Sequence, residues 1–119
     1  MVRAIRGATT ISQNSADEIY AATIELLKEM TVQNGIDKDD IISVIFSVTS
    51  DINAAFPAAA ARQIGWTKTA MMCTYEVDVP GSLRKCIRVM MHIETEKMNE
   101  ELKYIYLREA KVLRPDIDQ

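Results

Sequence analysis

Nine residues in the last third of the chain, Lys85-Cys86-Ile87-Arg88-Val89-Met90-Met91-His92-Ile93, constrain the fold more than any other stretch. They are rich in β-branched and apolar side chains, and side chains in a strand alternate between its two faces. Ile87, Val89, Met91 and Ile93 therefore share one face, and Cys86, Arg88, Met90 and His92 share the other. The first face is uniformly apolar and needs a covering layer. The second carries a guanidinium between a cysteine and a methionine. A guanidinium removed from water keeps its proton and requires an anion. A protein carboxylate such as Glu76 satisfies that requirement, and so does an anionic ligand.

A similar pattern recurs at the start of the chain. Residues 3–10 read as a strand with Ala4, Arg6 and Ala8 on one side and Ile5 and Gly7 on the other. Here an arginine lies between small alanines, which leave room for a ligand or for close approach of another element. Ser15-Ala16-Asp17-Glu18 is a capping box that opens a helix, and Asn34-Gly35 closes it. Ile19, Thr23, Leu26 and Met30 share one face of that helix, with Ala22 and Leu27 beside them. The run Ile41-Ile42-Ser43-Val44-Ile45-Phe46-Ser47-Val48 reads as a central strand, and residues 49–53 as a polar loop. Phe56-Pro57 introduces a second helix that Gly65 stops, proline being well suited to a first turn. Residues 68–75 form another strand and residues 76–83 a connection to the strand around Arg88. A short helix over 96–102, a last strand over 104–107 and a charged tail from 108 complete the order β-α-β-α-β-β-α-β.

This order predicts an α+β fold: a single mixed β-sheet with helices on one face and Arg6 and Arg88 on the other. The chain of 119 residues, with no internal repeat or linker, is expected to form one domain over 1–119. A half-apolar sheet face left uncovered by helices predicts self-association through that face.

Composition excludes several classes of function. The net charge of −3 disfavours nucleic acid as a partner. No apolar run is long enough to span a membrane, and the N-terminus lacks the apolar core of a signal peptide, so a cytoplasmic location is expected. Cys73 and Cys86 show no metal-ligand spacing, and the one histidine, His92, has no companion at such spacing. Phosphate loops and dinucleotide fingerprints are absent from the sequence. What remains is arginine, carboxylate, tyrosine and backbone, which can bind an anion and stabilise developing charge. Each residue also has an ordinary explanation. Arg88 fits an ion pair, Arg6 a solvated charge, Tyr106 a packed ring, Cys73 simple burial, and Met71, Met72, Met90 and Met91 core packing.

Five stretches in order decide among these readings: Arg3-Ala4-Ile5-Arg6-Gly7-Ala8-Thr9-Thr10; Phe56-Pro57-Ala58 with Arg62; Cys73-Thr74-Tyr75-Glu76-Val77-Asp78-Val79; Lys85 through Met91; and Tyr106-Leu107-Arg108-Glu109-Ala110-Lys111-Val112-Leu113-Arg114-Pro115-Asp116. Along almost its whole length the chain resembles the AroH-class, Bacillus-type monofunctional chorismate mutases. The resemblance implies conversion of chorismate to prephenate in aromatic amino-acid biosynthesis, by an intramolecular Claisen rearrangement without cofactor, metal or covalent intermediate. It also implies a homotrimeric pseudo-α/β barrel with active sites between subunits.

By the same resemblance Arg88 stabilises the ether oxygen and reaches a carboxylate, while Arg6 and Tyr106 bind carboxylate. Glu76 accepts a bond from the ring hydroxyl, and Cys73 makes a polar contact with that hydroxyl. Phe56, Ala58, Met71, Met72 and Leu113 line the cavity, and Arg62 and Arg114 lie at its rim. Two positions depart from the common pattern: Ala59 stands where many members have lysine, and Met72 where many have threonine. Two other readings fit a similar scaffold: an enamine/imine deaminase, and a ligand-binding module without turnover. The combination of Arg6, Glu76, Arg88 and Tyr106 favours the mutase.

Overall fold

The structure is a computed structural model that describes residues 1–113. Five strands and two helices follow in the order β1 (Val2–Thr10), α1 (Ala16–Asn34), β2 (Ile41–Val48), α2 (Pro57–Gln63), β3 (Ala70–Tyr75), β4 (Cys86–Glu94) and β5 (Ile105–Tyr106). The strands form one mixed sheet in the order β3-β2-β4-β1-β5. β4 runs antiparallel to both β1 and β2, whereas β3 joins β2 and β5 joins β1 in parallel. The strand that carries Arg88 is therefore the middle one.

The predicted boundaries of α1 follow from its caps. The Ser15 hydroxyl accepts the Glu18 amide, and Gly35, at φ 61°, takes the left-handed conformation that ends the helix. The buried stripe of α1, which includes Ile19, Leu26 and Met30, lies over the face of β1 that carries Ile5 and Gly7. A Cβ on Gly7 would stand 2.6 Å from Met30 Sδ and 3.1 Å from Leu26 Cδ1, so glycine permits this close approach. Both helices cover this one face. The core beneath them combines Ile5, Leu26, Met30, Val44, Phe46, Ala58, Ala61, Trp66, Val89, Met91 and Ile93. The β4 alternation is realised as read: Ile87, Val89, Met91 and Ile93 are all buried on the helix side.

Three segments differ from expectation. The helix predicted over 96–102 is a single 3-10 turn at Asn99–Glu101, because the chain must leave it at once to pair β5 with β1. The charged loop before β2 contains a 3-10 turn at Lys38–Asp40. Residues read as the start of a charged tail form a 3-10 helix, Arg108–Leu113, packed on the open face of β1. There Ala110 joins Ala8, Cys86 and Tyr106 in a small separate core, with Leu113 packed against it. No helix of the described chain is long and apolar enough to cross a membrane.

Candidate active site

Register places Arg88 at the centre of a row that crosses the whole sheet. Arg88 lies opposite Ala8 of β1 and opposite Ser47 of β2; Ala8 in turn neighbours Tyr106 of β5, and Ser47 neighbours Thr74 of β3. All five side chains share the face that the helices leave open. Arg88's neighbours on both sides, Ala8 and Ser47, are small. The Arg88 side chain is 33% exposed.

Arg6 lies on the same face, opposite Met90 and thus two register positions from Arg88. Such diagonal neighbours on adjacent strands stand about 7–8 Å apart. Two like charges held at that spacing on a half-buried surface repel unless an anion lies between them. One carboxylate answers for Arg88: its Nη1 donates to Glu76 Oε1 at 3.0 Å. Glu76 follows the end of β3, and its amide extends the parallel ladder by donating to the Val48 carbonyl at 2.8 Å. Arg6 makes no hydrogen bond or ion pair among the described residues. The Tyr106 hydroxyl is buried and likewise has no partner among the described residues.

Arg6, Glu76, Arg88 and Tyr106 converge on one cavity of about 210 Å3, with Gly7, Ile45, Ser47, Val89 and Met90 completing its lining. A second hollow of about 250 Å3 shares Glu76 and Arg88 and is lined further by Thr49, Cys86, Leu83 and Leu113. The ion pair forms the wall between the two. Burial pushes the Cys86 thiol up to about 11, against the pull of nearby Arg88, so Cys86 is a neutral wall residue near neutrality. A larger hollow of about 820 Å3 runs along β5, but of the candidate residues only Tyr106 borders it.

The remaining candidates lie elsewhere. Strand alternation puts Met71 and Cys73 on the helix side, packed half-buried against the main core, while Met72 is 61% exposed on the open face of edge strand β3. Ala58 is buried in the first turn of α2, Phe56 just before it is 72% exposed, and Arg62 near its end is exposed. Cys73 and Glu76, both expected to meet one hydroxyl, thus belong to opposite faces of the sheet. The structure assembles Arg6, Glu76, Arg88, Tyr106 and Leu113 around adjoining hollows and leaves Phe56, Ala58, Arg62, Met71, Met72 and Cys73 outside their linings. Arg114 lies outside the described residues. His92 Nδ1 lies 3.3 Å from Ser43 Oγ, an ordinary contact between strands. Sequence reasoning missed Ser47. Its signal was a polar residue repeated with Ser43 on one face of an otherwise apolar strand. Among the described residues no group of three or more His, Cys, Asp or Glu side chains could hold a metal ion.

The family described as chorismate mutase type I matches residues 2–117. The chain belongs to that family. Its curated relatives include the chorismate mutase AroH of Bacillus subtilis (strain 168), 40% identical over 118 residues, covering 98% of this chain and 93% of the relative. The chorismate mutase AroH of Thermus thermophilus is 45% identical over 119 residues, covering 99% and 98%. A solved chorismate mutase from Clostridium thermocellum superposes with a TM-score of 0.91 at 64% identity, covering 92% of this chain and 98% of that one. The chorismate mutase type I match thus spans every strand of the sheet and both hollows around Arg88.

Proposed function

We propose that this chain is a chorismate mutase, an isomerase that converts chorismate to prephenate in aromatic amino-acid biosynthesis. The observation that carries the reading is the convergence on one cavity of Arg6, Arg88 and Tyr106, whose hydroxyl has no partner among the described residues, with a single carboxylate, Glu76, among them. That is a site for an organic anion that also presents a hydroxyl. Chorismate is a dicarboxylate with a ring hydroxyl and an ether bridge.

In the rearrangement the ether C–O bond breaks ahead of C–C bond formation, and both changes occur within one molecule. Negative charge grows on the ether oxygen and disappears again as the new bond closes. A guanidinium fixed beside that oxygen stabilises the transition state more than the ground state, which is what accelerates a reaction. Arg88 takes this role and also reaches a carboxylate, because its strand is the middle of the sheet and cannot recoil. Arg6 and Tyr106 bind carboxylate, and a bidentate grip fixes orientation as well as charge. Holding the substrate compact converts lost freedom into rate. Glu76 accepts the ring hydroxyl. The residues present accomplish this by position and charge alone.

A cavity of about 210 Å3 is smaller than the several hundred Å3 typical of ligand pockets. We assign the missing wall to a second copy. Phe56, Ala58, Arg62, Met71, Met72 and Cys73 lie on α2 and edge strand β3, away from Arg6 and Arg88, with Phe56 and Met72 prominently exposed. Bringing that cluster of one copy against the arginine face of the next is a head-to-tail contact, which closes into a ring when its rotation closes. A homotrimer with the sites between subunits satisfies both halves. Leu113 closes the second hollow. The chain acts as one chorismate mutase domain in the cytoplasm.

The test is direct. Purified protein should deplete chorismate absorbance and form prephenate, with full activity after chelation, and native mass should correspond to three chains. Folded, assembled protein that leaves chorismate unchanged sinks the reading.

A further inference from the structure

Lys85 has φ 49°, a left-handed conformation that costs a non-glycine residue free energy and persists only where surroundings enforce it. It immediately precedes β4, three residues before Arg88. Two groups hold its backbone: the Ile11 amide, which donates to its carbonyl at 2.9 Å, and the Asp51 carboxylate. Its Oδ1 and Oδ2 accept from the Lys85 amide at 3.1 and 3.0 Å, and Oδ1 accepts from the Thr49 hydroxyl at 2.6 Å. Thr49 Oγ1 in turn accepts the Cys86 amide at 3.0 Å, and the Thr49 amide donates to the Cys86 carbonyl at 3.1 Å. The residue before the arginine strand is thus held by this carboxylate directly, and the strand's first residue through Thr49.

The same carboxylate lies near Arg84, which binds the segment after Glu76. Arg84 Nε lies 3.7 Å from Asp51 Oδ2, and its Nη1 donates to Asp78 at 2.9 Å, two residues beyond Glu76. Arg84 Nη2 also donates to Ser50 Oγ at 3.1 Å. Burial would favour the protonated Asp51 carboxyl, but the Thr49 hydroxyl, the Lys85 amide and Arg84 outweigh it and hold the group below its ordinary value.

We propose that Asp51 is a positioning residue for catalysis: it locks the left-handed turn from which Arg88's strand begins and, through Arg84, ties down the loop that follows Glu76. It touches neither cavity and acts only through the geometry of that pair. A guanidinium aimed at a developing charge loses most of its advantage when displaced by about an ångström. The loss falls mainly on the transition state, so it appears in kcat more than in KM.

This inference rests on the chorismate mutase reading, and turnover by the parent enzyme tests that reading separately. With an active parent, Asp51→Asn should lower kcat about tenfold or more, KM moving less than about threefold, at a temperature where circular dichroism finds both fully folded. In an Arg88→Lys background the same substitution should cost no more than about twofold, because residues acting through one another are not additive. Lys85→Gly placed on Asp51→Asn should restore most of kcat, since glycine adopts the turn without a clamp. Should Asp51→Asn not fold, Thr49→Val carries the same expectation at about threefold. An active parent whose kcat changes less than twofold in these variants overturns the proposal, as does an equal loss in both Arg88 backgrounds.

Discussion

Arg88 Nη1 and Glu76 Oε1 meet at 3.0 Å although they belong to strands separated by β2 in the sheet. Glu76 reaches Arg88 because it leaves the end of β3 on the open face, above Ser47 and toward β4. Both side chains remain partly exposed, 33% and 24%, so the pair contributes little to stability and can rearrange around a ligand. A charge pair of modest strength inside a cavity suits a site that must exchange internal contacts for substrate contacts.

The role of Arg88 predicts a separation of rate from binding. Arg88→Lys keeps the charge but replaces a planar fork with a point. We expect kcat to fall by about a hundredfold or more and KM to change much less, in line with the loss of an oriented donor to a developing oxyanion. Steady-state kinetics with chorismate checks this, and equal kcat in variant and parent removes Arg88 from the mechanism.

Gly7 predicts a stability effect with a functional echo. In Gly7→Ala the new methyl would stand 2.6 Å from Met30 Sδ, and Met30 and Leu26 are both fully buried. Relieving the overlap should cost about 1–3 kcal/mol, read as a lower urea midpoint. Arg6 is the adjacent residue on the strand that must move, so chorismate KM should rise as well.

Asn34 predicts a loss at the far end of α1. Its fully buried amide donates to the Met30 and Lys103 carbonyls and accepts the Lys103 amide, tying the helix end to the segment that leads into β5. Asn34→Ala leaves the Lys103 amide and carbonyl without these partners, for about 1–3 kcal/mol. Hydrogen exchange should accelerate first at Lys103, before the sheet interior responds.

Cys86 predicts a pH effect in the alkaline range. In the unfolded chain the thiol ionises near its ordinary value of 9.0, whereas burial keeps the folded one protonated to about 11. Its contribution to stability is therefore complete below pH 9 and is lost as pH rises from 9 through 11. Urea unfolding of the parent and of Cys86→Ala should differ by an amount that shrinks across this window. A constant difference contradicts it.

Local chemistry made much of the fold legible. The strict alternation of β4 separated core from site, and the Ser15 cap and Gly35 stop fixed α1. Pairing chemistry was not legible to the same degree. Glu76 meets Arg88 only because the strands take the order β3-β2-β4, which no local pattern states. Thr49 and Asp51 read as a polar loop, yet their side chains hold the start of β4, because their partners are backbone groups 34–37 residues away. Cys73 was expected beside Glu76. An odd spacing of three residues along a strand and its extension sends the two to opposite faces, and resemblance alone carries no information about which copy supplies which residue.

In the proposed trimer, that odd spacing would make turnover depend on association. A pocket needing the Cys73 side of one chain and the Glu76 side of another exists only while chains are associated. Specific activity should hold constant on dilution down to the dissociation range and then collapse faster than protein concentration. Chains lacking Arg88 mixed with chains lacking the α2–β3 wall should regain turnover that neither has alone, since one junction in the hybrid ring pairs two intact halves.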